Sequence, residues 1–118
     1  MLFFYPKDDT RGCTAESCRF RDEIERFRAA GAEVIGISSD HVDSHRRFAD
    51  KFALPFRLLS DEAGQVRRLY GVRRTFGLIP GRVTFVIDRN GVIRFVYSSQ
   101  FRPEMHVSEA LKALAVAP

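Results

Sequence analysis

The chain has 118 residues, 45% of them hydrophobic, a net charge of +4 and two cysteines. That length fits one domain, residues 1–118, with apolar content sufficient for a core, and no apolar run approaches the ~20 residues needed to span a membrane. The pI near 9.5 comes mostly from arginines interspersed with acids, not from a basic patch with stacking aromatics, which argues against nucleic-acid binding. No basic leader precedes the first apolar run, so no signal peptide is expected.

Leu2-Phe3-Phe4-Tyr5 is an apolar run that stops at Pro6 and reads as a buried central strand. Lys7 to Cys18 then forms a strand-to-helix turn, with a cysteine about where the helix begins. Free N–H groups at a helix N-terminus carry roughly half a positive charge and favour an anion, and the thiolate is the reactive form of cysteine. Both cysteines, Cys13 and Cys18, lie in this stretch. Residues five apart on an intact helix are separated by about 7.5 Å of rise and about 140° of rotation. A disulfide needs Cα atoms roughly 4.4–6.8 Å apart with converging Cβ vectors. The pair therefore never bonds, or bonds only after the first helical turns unwind. A permanent disulfide that sacrifices a helix would stabilise little; two unrelated buried cysteines is the other plain reading.

From Cys13 to Ala30, Phe20, Ile24 and Phe27 recur with a helical period, and charges fill the other faces as a solvated surface. Gly31 reads as the stop. Glu33–Ser38 is a β-branched run typical of a buried parallel strand. Asp40 is placed to cap a helix over Val42–Phe52, with Pro55 beyond its end. Within it His41 and His45 sit i,i+4, a spacing able to bind a metal. No third ligand is evident, so no metal is expected and two exposed histidines are. Phe56–Leu59 is a short strand, and Asp61 caps a short helix over Gly64–Tyr70. Val72–Gly81 reads as a loop whose Arg73, Arg74, Phe76, Leu78, Ile79 and Pro80 suit a substrate rim, a partner surface or a fold-back onto the core. Arg82–Asp88 and Val92–Ser98 are strands joined by an Asn90-Gly91 hairpin signal. Pro103–Ala115 is a closing amphipathic helix with Val107, Leu111 and Leu114 on one face. The order β-α-β-α-(β)-α-β-β-α is α/β. A parallel crossover half followed by an antiparallel hairpin and a helix matches the thioredoxin fold, three layers around a mixed sheet.

Pro6, Thr10 and Cys13 match the P-x-x-x-T/S-x-x-C signature of peroxiredoxins, and FFYPKDDTRGCTAESCRFRD resembles the bacterioferritin-comigratory-protein or peroxiredoxin Q branch. Gly81-Arg82-Val83-Thr84-Phe85-Val86-Ile87-Asp88 resembles the family's G-R-x-T-F-x-I-D strand, which carries its active-site arginine. The segments 77–82 and 99–104 are similar to plant and cyanobacterial members. The resemblance implies a thioredoxin-like peroxiredoxin domain that lacks the family's N-terminal section, since the match starts inside a strand.

It also implies a thiol peroxidase without metal, flavin or haem. Cys13 would attack the peroxide and Cys18 would resolve the resulting sulfenic acid as an intramolecular disulfide. Thr10 and Arg82 would hydrogen-bond the peroxide and steady the leaving oxygen. Backbone N–H groups of Gly12 and Cys13 would assist, and Pro6 would stiffen the turn and shield the sulfur. The partners implied are a hydroperoxide and a thioredoxin-like reductant, which the basic surface would steer if acidic. A monomer suffices, because no partner cysteine is needed. The compartment expected is the cytoplasm, or a plastid if a transit segment precedes the sequence. A thioredoxin-type disulfide oxidoreductase shares the fold but usually spaces its pair C-x-x-C, not C-x4-C, and insulin reduction separates the two. A redox-sensing binding protein, or a truncated chain without activity, are the non-enzymatic alternatives. A chain starting at Met1 buries less apolar area than a full-length relative, at about 25 cal/mol per Å². It is expected to melt at lower temperature, and equal midpoints in parallel thermal melts would reject this.

Overall fold

The computed structural model describes residues 1–73 and 81–116. Leu2–Phe4 forms β1, and it is apolar on both faces because both are covered: neither Phe3 nor Phe4 has any exposure. It runs parallel to β2 (Ile35–Ser38) on one side and antiparallel to β4 (Val83–Ile87) on the other. β3 (Arg57–Ser60) extends the parallel half and β5 (Ile93–Ser98) the antiparallel half, giving the order β3-β2-β1-β4-β5. The mixed sheet and the central place of the first strand are as read from the sequence. Phe3 faces Gly36 across the ladder, where a β-carbon at Gly36 would stand 2.8 Å from the Phe3 ring. Glycine leaves that ring its room.

The alternation of strand side chains divides the core in two. On one face Phe3, Val86 and Thr84 meet α1 (Arg11–Asp22), α2 (Ile24–Ala29), α3 (Val42–Phe52) and α5 (Pro103–Val116). Phe3 stacks on Phe20 with ring centroids 4.5 Å apart, and Phe20 passes the contact to Phe27 at 5.6 Å. Val107 and Ala110 of α5 close this cluster. On the other face Phe4, Ile37, Val83 and Phe85 meet Tyr70 and Val72, just beyond α4 (Gln65–Leu69).

Several local readings are corrected. The helix expected over 13–30 is two helices jointed at Glu23; the residues there favour helix, so propensity does not place the joint. His41, not Asp40, caps α3: its Nδ1 accepts from the Asp43 N–H at 3.2 Å. Asp40 instead accepts from the Ser38 hydroxyl at 2.6 Å and from the Asp8 N–H at 2.8 Å. His45, expected exposed, is buried. Asp61 does cap α4, its two carboxylate oxygens accepting from the Val66 and Arg67 N–H groups. The 83–98 hairpin turns through Gly91 at φ 77°, with the Gly91 N–H bonded to the Asp88 carbonyl. Arg74, Phe76, Leu78, Ile79 and Pro80, read as a possible rim, lie outside the described residues. No helix among the described residues is long and apolar enough to cross a membrane.

Phe3→Ala would remove the ring that joins the sheet to α1, at a cost of about 3–5 kcal/mol. Urea unfolding measures this as a lowered midpoint at unchanged slope; a loss below about 1 kcal/mol would show that Phe20 and Phe56 collapse into the space.

Candidate active site

Strand β1 ends at Phe4, and Tyr5 and Pro6 lead into the turn to α1. Thr10 is the N-cap of α1 by backbone geometry (φ −91°, ψ 156°), and its carbonyl takes the first helical bond from Thr14 N–H at 2.8 Å. Its hydroxyl does not cap the helix; it donates to the Lys7 carbonyl at 2.9 Å. Cys13 follows in the first turn, 1% exposed, beneath the unbonded N–H groups of the helix start. Cys18 is half-buried on the same intact helix, and both thiols are free.

Arg82, just before β4, enters this first turn from the sheet side. Its Nη2 donates toward Cys13 Sγ at 3.4 Å, its Nη1 to Glu16 Oε1 at 2.6 Å and its Nε to the Gln100 carbonyl at 3.2 Å. Gly12 permits this approach, since a β-carbon there would stand 3.1 Å from Nη2. Arg82 is 5% exposed and Glu16 fully buried. Burial works against the guanidinium charge, but Glu16 and the Cys13 sulfur outweigh it and raise the Arg82 pKa. Burial pushes the Glu16 carboxyl up, against the pull of Arg82.

The structure thus brings Cys13, Gly12 and Arg82 into contact. Thr10 stands one helical turn before Thr14 with its hydroxyl turned to Lys7, and Pro6 is half-buried at the end of β1. The sequence reading missed two members of the site. Glu16 lies on the same stripe as Cys13 and Phe20, and a lone acid on an apolar stripe was the signal available. His106 of α5 has no exposure, and its Nδ1 lies 3.7 Å from Glu16 Oε2. Its Nε2 bonds the Ser99 carbonyl at 2.7 Å, so it carries the N–H, and Nδ1 accepts from the Thr84 hydroxyl at 2.8 Å. Nothing about His106 in the chain marked this pairing.

Asp8, Asp40 and His45 each offer a ligand atom, all within 4.8 Å of one another. The Asp8 and Asp40 carboxylates already accept hydrogen bonds from Tyr5, Ser44, Ser38 and the Asp8 N–H, and His45 Nδ1 lies 2.7 Å from Asp8 Oδ2.

The buried cysteine thus stands in a first helical turn, faced by an arginine just before the neighbouring strand β4. Residues 1–96 match the AhpC/TSA family. The chain belongs to that family. Within it the chain is similar to chloroplastic peroxiredoxin Q of Sedum lineare, 54% identical over 97% of this chain and 62% of the relative, and of Arabidopsis thaliana, 53% identical over 99% and 55%. The chain therefore spans little more than half the length of these relatives. Among solved structures it is similar to peroxidoxin BcpB of Mycobacterium tuberculosis (40% identity, TM-score 0.90, 99% of this chain and 79% of that one). It is also similar to the bacterioferritin comigratory protein of Xanthomonas campestris (31% identity, TM-score 0.88, 97% and 76%). The chain thus sits in the peroxiredoxin Q branch of the AhpC/TSA family and carries its thioredoxin-like fold.

His106 supplies a pH test. Burial, with Arg82 adding to it, lowers its pKa from 6.5 to about 4. A folded value below the unfolded one gives a stability contribution present above pH 6.5 and lost as pH falls toward 4. The size is about 3 kcal/mol, at 1.36 kcal/mol per pKa unit. His106→Gln is expected to flatten the acid limb of the stability–pH curve in that window. Parallel limbs for the two proteins would show that His106 takes up its proton equally in the folded and unfolded states, so that burial does not lower its pKa.

Proposed function

We propose that the chain is a two-cysteine thiol peroxidase in which Cys13 attacks the hydroperoxide. One observation carries this: Arg82 Nη2 stands 3.4 Å from the buried Cys13 sulfur at the start of α1. A fixed cation beside the attacking sulfur offers donors to the peroxide oxygens in the transition state. Low thiol pKa alone gives no such selectivity, because nucleophilicity falls with it.

In the first step the Cys13 thiolate attacks the terminal oxygen of ROOH. An S–O bond forms, the O–O bond breaks, and RO⁻ leaves to take a proton as ROH. Arg82 steadies charge on the departing oxygen. Backbone N–H groups of Gly12 and Cys13 add donors to the peroxide oxygens, and Thr10 swings its hydroxyl from the Lys7 carbonyl to the peroxide. Pro6 stiffens the turn that carries them. In the second step the Cys18 thiol displaces water from the Cys13 sulfenic acid and forms the disulfide. Cys13 and Cys18 lie on one intact helix, too far apart to bond without unwinding. The joint at Glu23 limits that opening to α1 and leaves Phe27 of α2 in the core. A thioredoxin-like dithiol then returns two electrons and two protons. This scheme needs one chain only, which suits a monomer. The Xanthomonas protein is described with alkyl peroxide reduction activity, which supports organic hydroperoxides beside hydrogen peroxide as the substrate class. The plant relatives are chloroplastic, which supports a plastid as readily as a cytoplasm.

One equivalent of hydrogen peroxide added to reduced protein is expected to remove both thiols and lower the intact mass by two protons. Both thiols persisting would reject the proposal. Cys18→Ser should keep the first step, seen as a sulfenic acid, and slow thioredoxin-dependent turnover; loss of the first step would contradict the assignment of roles. Arg82→Gln should slow sulfenic acid formation about 10²–10³-fold, the usual cost of a transition-state donor.

A further inference from the structure

We infer that Asp8 and His45 form a buried ion pair that positions the Pro6–Thr10 turn for the peroxide step and keeps it in place while α1 opens. The inference rests on the thiol peroxidase reading. Asp8 is 7% and His45 3% exposed. His45 Nδ1 lies 2.7 Å from Asp8 Oδ2, and its Nε2 lies 3.1 Å from the Leu59 carbonyl. Both partners are acceptors. A neutral imidazole has one N–H, so only the imidazolium satisfies both contacts. The Asp8 carboxylate also accepts from the Tyr5 hydroxyl at 2.6 Å and from Ser44 at 2.8 Å. An ionised carboxylate this deep needs such partners.

The turn needs the anchor. Asp9, next in the chain, is held at φ 56°, in the left-handed region that is uncommon outside glycine though aspartate tolerates it better than most, and its carboxylate accepts from Lys51 of α3 at 2.9 Å. Thr10 and the start of α1 follow at once. None of the Asp8 contacts comes from α1: they reach Tyr5 at the end of β1, Ser44 and His45 of α3, and Asp40 through the Asp8 N–H. When α1 unwinds to bring Cys18 to Cys13, the turn therefore keeps its fixings, and Thr10 and Cys13 return to the same geometry on reduction.

The titratable groups facing the pair are Tyr5 and Asp40, and Arg67 of α4 stands next to them with its Nη2 on the Tyr5 carbonyl at 3.3 Å. Asp61, on the β3 side, is turned to the N–H groups of α4. Burial disfavours the His45 charge, but the Asp8 hydrogen bond outweighs it and the His45 pKa rises above 6.5. The anchor is thus complete below pH 6.5 and is lost as pH rises through the raised value. The rate of Cys13 oxidation inherits a fall on the alkaline side.

The test reads two quantities on the full chain. Nitrogen-resolved NMR of the histidine rings should show His45 with protons on both nitrogens near neutral pH. Peroxide-driven loss of the Cys13 thiol, followed across pH with hydrogen peroxide as probe, should show the alkaline fall. Asp8→Asn and His45→Gln should slow that step about tenfold, as small misplacements at a reacting centre do, and abolish the alkaline fall while thermal melts still show a folded protein. Ser44→Ala removes one hydrogen bond from an uncharged donor to the Asp8 carboxylate and leaves the pair. It should keep both the doubly protonated ring and the alkaline fall, and it carries the test if the other two variants fail to fold. A singly protonated His45 in the wild type would overturn the inference. So would folded Asp8→Asn and His45→Gln proteins that react as fast as wild type. If wild-type Cys13 ignores peroxide at every pH, the peroxidase reading and the positioning role fall together, while the ring nitrogens still decide the ion pair.

Discussion

The pairing of Arg82 with Glu16 is the interaction on which the site depends. A guanidinium and a carboxylate meet at 2.6 Å with almost no exposure on either side. Such a pair is a weak source of net stability, because each charge loses most of its hydration. Its value is geometric. Glu16 takes one edge of the guanidinium and the Gln100 carbonyl takes another, which leaves Nη2 aimed at the Cys13 sulfur. The pair also fixes α1 against the edge of β4, so the helix start and the arginine arrive together. His106 and Thr84 fill the space behind Glu16 with a neutral, hydrogen-bonded couple. A second buried cation there would compete with Arg82 for the same carboxylate.

The rest of the domain supports this contact by keeping its two halves stiff. β1 is covered on both faces and carries Tyr5 into the turn before α1. Phe3, Phe20 and Phe27 form a continuous chain of ring contacts from the sheet to α2, stacked at the first and tilted at the second. In the proposed disulfide step, an opening confined to α1 would release the Phe20 link and leave Phe27 and the sheet in place. Local opening of one packed helix is a low-free-energy event compared with global unfolding when its neighbours hold. The joint at Glu23 marks where such an opening would stop.

Much of this was legible in the chain because it is local or periodic. The apolar run ending at Pro6 could only be a buried strand. The Cys13–Cys18 spacing follows from helix geometry alone. The Asn90-Gly91 signal placed the hairpin, and Val107, Leu111 and Leu114 marked the inner side of α5. The misreadings share one cause. Asp40 was assigned to the nearest helix start because capping is a local rule, whereas its carboxylate serves Ser38 and the Asp8 N–H. His45 was read as exposed because polar residues usually are, yet Asp8 lies 37 positions away and pairs with it inside the fold.

The sequence by itself determined the fold class and carried the cysteine pair and the family motif of Pro6, Thr10, Cys13 and Arg82, since hydrophobic period, turn residues and motif spacing are properties of a linear chain. Only the tertiary structure decided that Glu16 holds Arg82, that His106 stands behind Glu16, that the Thr10 hydroxyl rests on Lys7, and that His45 joins Asp8. Each of these depends on two side chains losing water together at a place where separate elements converge. Desolvation of that kind has no local signature, because its cost and its compensation belong to partners that the chain keeps far apart.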